Sequence, residues 1–168
     1  MSGRLAHPRV QILIANDFDD GAVVACLTRL RAEGCQVDLI TRSVRGVRSR
    51  EGLHVLGTLS LEQGLQRRTP HLVLLPGSET NVDAWMGDPR TLTLFQRVTR
   101  ARGWVAVLRT AYPGLRASRG DGTIVPGQLL VQGREGDEEF VNRILARLRA
   151  PVAPGPTPRP HLLSHLSE

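Results

Sequence analysis

The sequence contains no lysine and few aromatic residues, and both features argue against nucleic-acid binding. Aromatic residues make up 4% of the chain, and all 22 basic residues are arginines. Proteins that bind single-stranded nucleic acid stack bases on aromatic side chains and cluster their basic residues along a groove. Here the arginines are scattered along the chain, and the use of arginine without lysine resembles that of proteins from GC-rich bacterial genomes. Despite a net charge of +6, the sequence therefore argues against nucleic-acid binding.

Cysteines and long apolar runs are equally sparse. The only cysteines are Cys26 and Cys35, and no CxxC pair or Cys/His metal spacing occurs. The first nine residues lack the apolar core of a signal peptide, and no apolar run approaches the length of a membrane span. These absences predict a cytoplasmic protein with no cofactor, no metal and no membrane contact. Both cysteines are expected to be buried packing residues.

Short apolar runs alternate with amphipathic helical stretches along most of the chain. Apolar runs without polar alternation are typical of strands buried on both faces of a parallel sheet. The predicted strands are 10–15, 35–41, 71–76 and 104–108, and the predicted helices are 22–33, 91–102 and 137–149. This order predicts a flavodoxin-like three-layer α/β/α sandwich with a mainly parallel sheet.

Three stretches depart from that rhythm. Two short antiparallel strands are predicted around 44–48 and 53–57. Two further short strands are predicted at 123–125 and 128–132, separated by a Pro-Gly turn. From residue 151 the sequence is Pro-rich, which predicts an extended tail. The expected organisation is one α/β domain over residues 1–150 and a tail over 151–168.

The prediction of function depends mainly on residues 103–114. Its apolar residues predict a buried strand, which breaks at Arg109 and Thr110 and leads into a helix start at Pro113. Many α/β enzymes present a nucleophile on such a strand–turn–helix. Arginine cannot serve as a nucleophile because its guanidinium stays protonated.

Several local sequences, taken in order, resemble the ThiJ/PfpI superfamily, whose fold is that of the class I glutamine amidotransferases and which includes the Parkinson-disease-associated deglycases. The matching pieces are Ile12-Leu13-Ile14-Ala15, residues 30–37, Ser60-Leu61-Glu62, Leu74-Leu75-Pro76-Gly77, residues 103–108 and residues 127–131. The resemblance implies the same fold and a homodimer.

The resemblance also implies a catalytic cysteine at the strand–turn–helix, an acid from the loop after the first strand and often a histidine beyond the turn. The cysteine position matches Arg109, the acid position falls near Ala22, and no histidine occurs between His71 and His161. All three positions lack the expected residue. The sequence therefore favours a protein without catalytic activity, in which the former active site binds a small molecule or has a regulatory role.

Arg109 has two interpretations. It could form an ion pair with Asp19, Asp20 or Glu79 as a structural replacement for the cysteine. Alternatively, it could hold a small anion, such as a carboxylate or phosphate, together with Thr110 and the backbone of Gly77 and Ser78. The candidate site residues are Asp19, Asp20, Gly77, Ser78, Glu79, Arg109 and Thr110.

Two further alternatives stay open at this point. The protein could be a hydrolase or lyase of glyoxalase, deglycase or peptidase type that uses Asp19 or Asp20 as a base in place of cysteine chemistry. It could instead be a structural partner domain whose Pro-rich tail engages another protein. Ser78 and Thr110 have no neighbouring histidine to activate them. The acidic run 17–20 is expected to cap the first helix rather than bind a metal.

Overall fold

The computed structural model describes residues 7–150, so the predicted tail at 151–168 lies outside the described residues. The strands are β1 (Arg9–Leu13), β2 (Gln36–Thr41), β3 (Val47–Arg48), β4 (His54–Val55), β5 (Leu59–Ser60), β6 (Leu72–Leu75), β7 (Trp104–Val107) and β8 (Leu129–Val131). The helices are α1 (Asp20–Ala32), α2 (Leu61–Gln66), α3 (Glu79–Met86), α4 (Pro89–Arg100), α5 (Tyr112–Ala117) and α6 (Asp137–Arg149), with a 3₁₀ helix at Gly120–Thr123.

Six strands form one parallel sheet in the order β5-β2-β1-β6-β7-β8. The central strands β6 and β7 are apolar and fully buried, and their neighbour β1 is buried except at Arg9, as expected for strands covered on both faces. This order confirms the predicted flavodoxin-like α/β sandwich. The predicted antiparallel pair is also confirmed, because β3 and β4 form a separate two-stranded hairpin.

The helices cover both faces of the sheet. The connections β1–α1–β2 and β6–α4–β7 run in opposite directions across it, so right-handed crossovers place α1 and α4 on opposite faces. Helix α1 packs against α6, and α2 packs against α4. The buried core between these layers includes Trp85, Phe95 and Phe140.

Three elements differ from the prediction. Helix α3 and strand β5 were not predicted. Conversely, the strand predicted at 123–125 is wrong, because Thr123 ends the 3₁₀ helix. The Thr123 hydroxyl donates to the Gly120 carbonyl oxygen, and the Ile124 N–H donates to the Asp121 carbonyl oxygen. These groups are thus used in a local turn rather than in a sheet ladder.

Within residues 7–150, none of the helices combines the length and the apolar character needed to cross a membrane.

Candidate functional site at the carboxyl edge of the sheet

The loops that follow β1, β6, β7 and β8 meet at one edge of the sheet. In open parallel sheets, ligands bind outside the carboxyl ends of the strands, near the point where the strand order reverses. That reversal lies between β1 and β6 here, because β2 is on one side of β1 and β6 on the other. The predicted site residues all lie in these loops or at the first residues of the helices that follow them.

Arg109 lies at the tip of the loop after β7 and is exposed to solvent. Its guanidinium donates from Nη1 to the carbonyl oxygen of Gly133 (3.1 Å), and its backbone N–H donates to Oε1 of Gln132 (3.3 Å). Among residues 7–150, none of the salt bridges involves Arg109. The guanidinium charge therefore has a carbonyl partner but no carboxylate partner in the described structure.

The expected ion pair between Arg109 and Asp19, Asp20 or Glu79 is thus wrong, and the sheet explains why for the two aspartates. Adjacent strands lie about 4.8 Å apart, and β6 separates β1 from β7. The loops after β1 and β7 consequently start about 10 Å apart. The hydrogen bond of Arg109 increases the distance of its guanidinium from the aspartates, because its acceptor, Gly133, follows β8 on the far side of β7.

The turn at Arg109 has ordinary backbone geometry. The N–H groups of Ala111 and Tyr112 both donate to the Leu108 carbonyl oxygen, which closes a regular turn into α5. Among residues 7–150, the non-glycine residues with positive φ are Asp17, Arg102 and Arg119, so Arg109 is not one of them. The strained backbone that presents a nucleophile in many α/β enzymes is therefore missing at this tip.

Asp19 and Asp20 are engaged in local structure. Asp19 is the N-cap of α1, where its Oδ1 accepts from the Ala22 N–H (2.9 Å). Asp20 accepts from the Gly21 N–H (2.9 Å) and from the Ser49 hydroxyl (3.0 Å). The predicted capping role is confirmed for Asp19. Because neither carboxylate neighbours Arg109, the geometry gives no support to an enzyme that uses one of them as a base beside that arginine.

Sequence reasoning missed Asp17 as a site residue. The Ser78 hydroxyl donates to Oδ2 of Asp17 at 2.6 Å, which links the loop after β1 to the loop after β6. Asp17 has a left-handed backbone with φ of 67°, a conformation in which aspartate is several-fold enriched among non-glycine residues. The sequence signal was weak, because Asp17 stands in an acidic run that capping alone explained.

Gly77 lies at the centre of this edge. Its carbonyl oxygen accepts from the Thr110 hydroxyl (2.8 Å), and its backbone pairs with Phe18 in an isolated antiparallel bridge. A side chain at position 77 would be obstructed, because an added Cβ would lie 2.2 Å from the Cβ of Asn81. Asn81 donates from Nδ2 to the Ala15 carbonyl oxygen (3.1 Å). Loops from three strands are thus joined around one glycine.

Glu79 begins α3 and is exposed. A Cβ added at Gly114 would lie 3.1 Å from the Cα of Glu79, so α5 approaches α3 closely at this point. Glu79 thus lies at the edge, but as the first residue of a packed helix rather than as the partner of Arg109.

Neither cysteine belongs to the loops that form this edge. Burial raises the pKa of Cys26, which lies on α1, to about 12. Cys35 directly precedes β2, at the amino end of the sheet, and burial raises its pKa as well. A thiol is nucleophilic as its thiolate, so both cysteines are poor nucleophiles at neutral pH. The prediction that both are buried is confirmed.

In the described part of the chain, no group of three or more histidine, cysteine, aspartate or glutamate side chains is placed to hold a metal ion. His71 lies at the amino end of β6, where its Nδ1 accepts from the Arg9 N–H (2.9 Å). His54 lies on the β3–β4 hairpin and contacts the Arg45 carbonyl oxygen (3.0 Å). His71 is therefore at the opposite edge of the main sheet, whereas the hairpin that carries His54 is joined to the loop after β1, because the Arg48 N–H donates to Oδ1 of Asn16 and the Arg48 carbonyl oxygen accepts from the Asp17 N–H.

Together, the strand order and the loops at this edge define a flavodoxin-like α/β protein with a polar site at the carboxyl ends of β1, β6 and β7. The chain belongs to the DJ-1/PfpI family, whose sequence profile matches residues 8–119. The resemblance found in the sequence is thereby confirmed. No curated protein sequence gives a significant match.

Solved structures share the fold over most of their length. Drosophila melanogaster DJ-1beta is 16% identical with a TM-score of 0.73, over 85% of this chain and 91% of that chain. Oxidized DJ-1 from Toxoplasma gondii is 13% identical with a TM-score of 0.71, over 84% and 90%. A DJ-1 superfamily protein of Salmonella typhimurium, solved as a cysteine-to-alanine mutant, is 18% identical with a TM-score of 0.68, over 86% and 94%.

Proposed function

We propose that this chain is a non-catalytic member of the DJ-1/PfpI family that binds a small anion at the carboxyl edge of its sheet. The observation that carries the proposal is the state of Arg109. Its guanidinium is exposed at the tip where the family resemblance puts a cysteine, and its hydrogen bond goes to the Gly133 carbonyl. A carbonyl orients the guanidinium without neutralising its charge, so the group can still bind a carboxylate or phosphate.

The neighbouring groups support the same proposal. The Thr110 N–H donates to no acceptor among residues 7–150, and it follows Arg109 directly. The nearby carboxylates are engaged elsewhere, because Asp17 accepts from Ser78 and Asp19 caps α1. A small anion at the tip would therefore meet a guanidinium and a backbone N–H.

The absence of catalysis is proposed because, among residues 7–150, no cysteine lies at this edge to serve as the nucleophile that the family resemblance implies. The two thiols are buried and have raised pKa values, and the turn at Arg109 is unstrained. Purified protein should show no cysteine-dependent turnover of a small aldehyde or peptide. Turnover that disappears in both Cys26→Ser and Cys35→Ser, with each variant folded, would refute this part of the proposal.

A thermal-shift screen tests the binding function. Small carboxylates, inorganic phosphate and nucleotides are added to the parent protein and to Arg109→Ala. A ligand that binds the folded state raises the melting temperature by mass action. We expect a shift in the parent that is lost in Arg109→Ala and retained in Arg100→Ala, a matched variant of an exposed arginine at the end of α4, on the opposite edge of the sheet. No shift with any anion in the parent would refute the proposal.

We also propose that the chain forms a homodimer through the groove between α1 and α6. Val24 lines this groove and is 54% exposed, and Arg29 and Glu138 lie on its two walls. A two-fold axis through such a groove brings α1 of one copy onto α6 of the other, so opposite charges can face each other. The cytoplasm is proposed as the compartment because both cysteines are free thiols.

Sedimentation velocity tests the dimer. The parent should sediment as a dimer, Val24→Asp as a monomer, and Val125→Asp as the parent does, since Val125 is another exposed aliphatic residue outside the groove. A monomeric parent at micromolar concentration would refute the proposed dimer.

A further inference from the structure

Ser78 and Asp17 are hydrogen-bonded to each other, and each departs from the usual local structure of its residue type. Serine at an N-cap normally accepts from the backbone of the following helix, yet Ser78, the N-cap of α3, makes no such bond and donates to Asp17 at 2.6 Å. Asp17 has a left-handed backbone, with φ of 67°. Departures of this kind from local preference concentrate at functional sites.

The pair presents hydrogen-bond acceptors. Because the Ser78 hydroxyl hydrogen is directed at Asp17, the remaining capacity of the pair is the lone pairs of Ser78 Oγ and of the Asp17 carboxylate. Both residues are partly exposed, so a ligand can reach them. Below them, Oδ1 of the fully buried Asn81 has no donor among residues 7–150. This half of the edge therefore has acceptor atoms whose hydrogen-bonding capacity is not used within residues 7–150.

The other half of the edge has an excess of donors. Arg109 and the Thr110 N–H lie there, above β7, and the Arg109 guanidinium is turned towards β8. The Thr110 hydroxyl joins the two halves, because it donates to the Gly77 carbonyl oxygen at 2.8 Å and Ser78 follows Gly77. A ligand that matches both halves has a donor end and an anionic end.

The strand spacing sets the separation between those two ends. The Asp17–Ser78 pair lies above β1 and β6, and Arg109 lies above β7 and β8, which is two strand spacings or about 10 Å. A polar contact of about 3 Å at each end leaves about 4 Å for the ligand. This matches the distance between the amine and the carboxylate of a small amino acid.

We propose that the Asp17–Ser78 pair binds the ammonium group of a small amino acid whose carboxylate is held by Arg109. This inference rests on the proposed anion-binding function and narrows its ligand to a zwitterion. The carboxylate of Asp17 supplies the negative charge opposite the ammonium, and Ser78 holds that carboxylate in place.

The test compares matched ligands by isothermal titration calorimetry on the full-length protein. The pairs are β-alanine with propionate and γ-aminobutyrate with butyrate, which differ by the amine alone. The variants are Asp17→Asn, Arg109→Ala and, as a control, Asp38→Asn, which lies on β2 near Arg9 at the opposite edge of the sheet. Asparagine tolerates the left-handed backbone and can still accept from Ser78, so Asp17→Asn is expected to fold.

We expect the parent and Asp38→Asn to bind the amino acid of each pair at least about tenfold more tightly than its amine-free partner. Asp17→Asn should reduce that ratio to about one while still binding the plain carboxylate. Equal affinities within each pair in the parent, or an unchanged ratio in Asp17→Asn, would overturn this inference and leave the anion-binding function standing. If neither member of either pair binds the parent and the anion screen also shows nothing, both proposals fail.

Discussion

Arg109 donates a hydrogen bond to the Gly133 carbonyl oxygen, and this contact turns its guanidinium towards β8 and away from the aspartates that follow β1. The same edge therefore holds an uncompensated positive charge at one end and the Asp17–Ser78 pair at the other. The separation follows from the sheet, because β6 lies between β1 and β7. This separation explains why Arg109 forms no ion pair with these aspartates, and it is the basis of the proposed ligand with two different ends.

Gly77→Ala should destabilise the protein. An added Cβ would lie 2.2 Å from the Cβ of Asn81 and 2.6 Å from its Oδ1, and the Asn81 side chain is fully buried and bonded to Ala15. Overpacking of this kind costs about 1–3 kcal/mol of the free energy of unfolding, which urea unfolding measures. Gly122→Ala is the matched control, since its added Cβ would contact nothing within 4 Å. Equal stability of the two variants would contradict the crowding at Gly77.

Asp88 should contribute to stability in a pH-dependent way. It caps α4 and is 6% exposed, and the hydrogen bond from the Arg90 guanidinium lowers its pKa below the ordinary value of 3.8. A carboxyl whose pKa is lower in the folded state stabilises the fold above its unfolded pKa, and that contribution is lost as the pH falls through the folded pKa.

Replacing Asp88 by alanine is expected to cost about 1 kcal/mol of capping energy near neutral pH. The difference between the parent and Asp88→Ala should shrink as the pH is lowered below 3.8. Urea unfolding of both proteins at a series of pH values measures it. A difference that stays constant into strong acid would show that the charge of Asp88 does not contribute.

His71 should make the fold less stable in mild acid. Burial lowers its pKa from the ordinary value of 6.5, and the neutral ring accepts the Arg9 N–H. Below pH 6.5 the unfolded chain takes up a proton that the folded state resists, so the free energy of unfolding falls with pH in that range. His71→Gln should flatten the profile measured from about pH 8 to about pH 5. His54→Gln, which replaces an exposed histidine, controls for the loss of an imidazole; equal slopes in the two variants would argue against this role.

The two thiols should react slowly while the protein is folded. Burial raises the pKa of Cys26 to about 12 and raises that of Cys35, so little thiolate is present at neutral pH. Labelling with iodoacetamide should be far slower than that of free cysteine in the native protein and should become rapid in denaturant. In Cys35→Ser, which leaves Cys26 alone, rapid native labelling would contradict the assigned burial.

The strands of the sheet could be predicted from the sequence better than the contacts within the candidate site at its carboxyl edge. Strands such as Trp104–Val107 and helices such as Asp137–Arg149 have strong periodic signals, and both lie where expected. Helix α3 was missed, although Val82, Trp85 and Met86 have helical spacing. Its N-cap residue Ser78 gives its hydroxyl to Asp17 instead of to the helix backbone.

The contacts between the loops of the site could not be predicted from the sequence, and the reason is physical. The partner of Arg109 is decided by which strand lies next to β7, and residues 109 and 133 are joined only once β8 pairs there. Nothing local to Asp17 fixes its left-handed backbone or its hydrogen bond to Ser78, which is far away in sequence. The fold could thus be inferred from local patterns, whereas the pairing within the site depends on tertiary structure.

The most direct test of the account is a calorimetric titration of acetate and inorganic phosphate into the parent, Arg109→Ala, Arg109→Lys and the control Arg100→Ala. The account predicts binding of at least one anion to the parent and to Arg100→Ala. It also predicts weaker binding to Arg109→Lys, because lysine keeps the charge without the planar fork, and no binding to Arg109→Ala. Binding that is equal in the parent and in Arg109→Ala would contradict the assignment of Arg109 as the anion-binding residue.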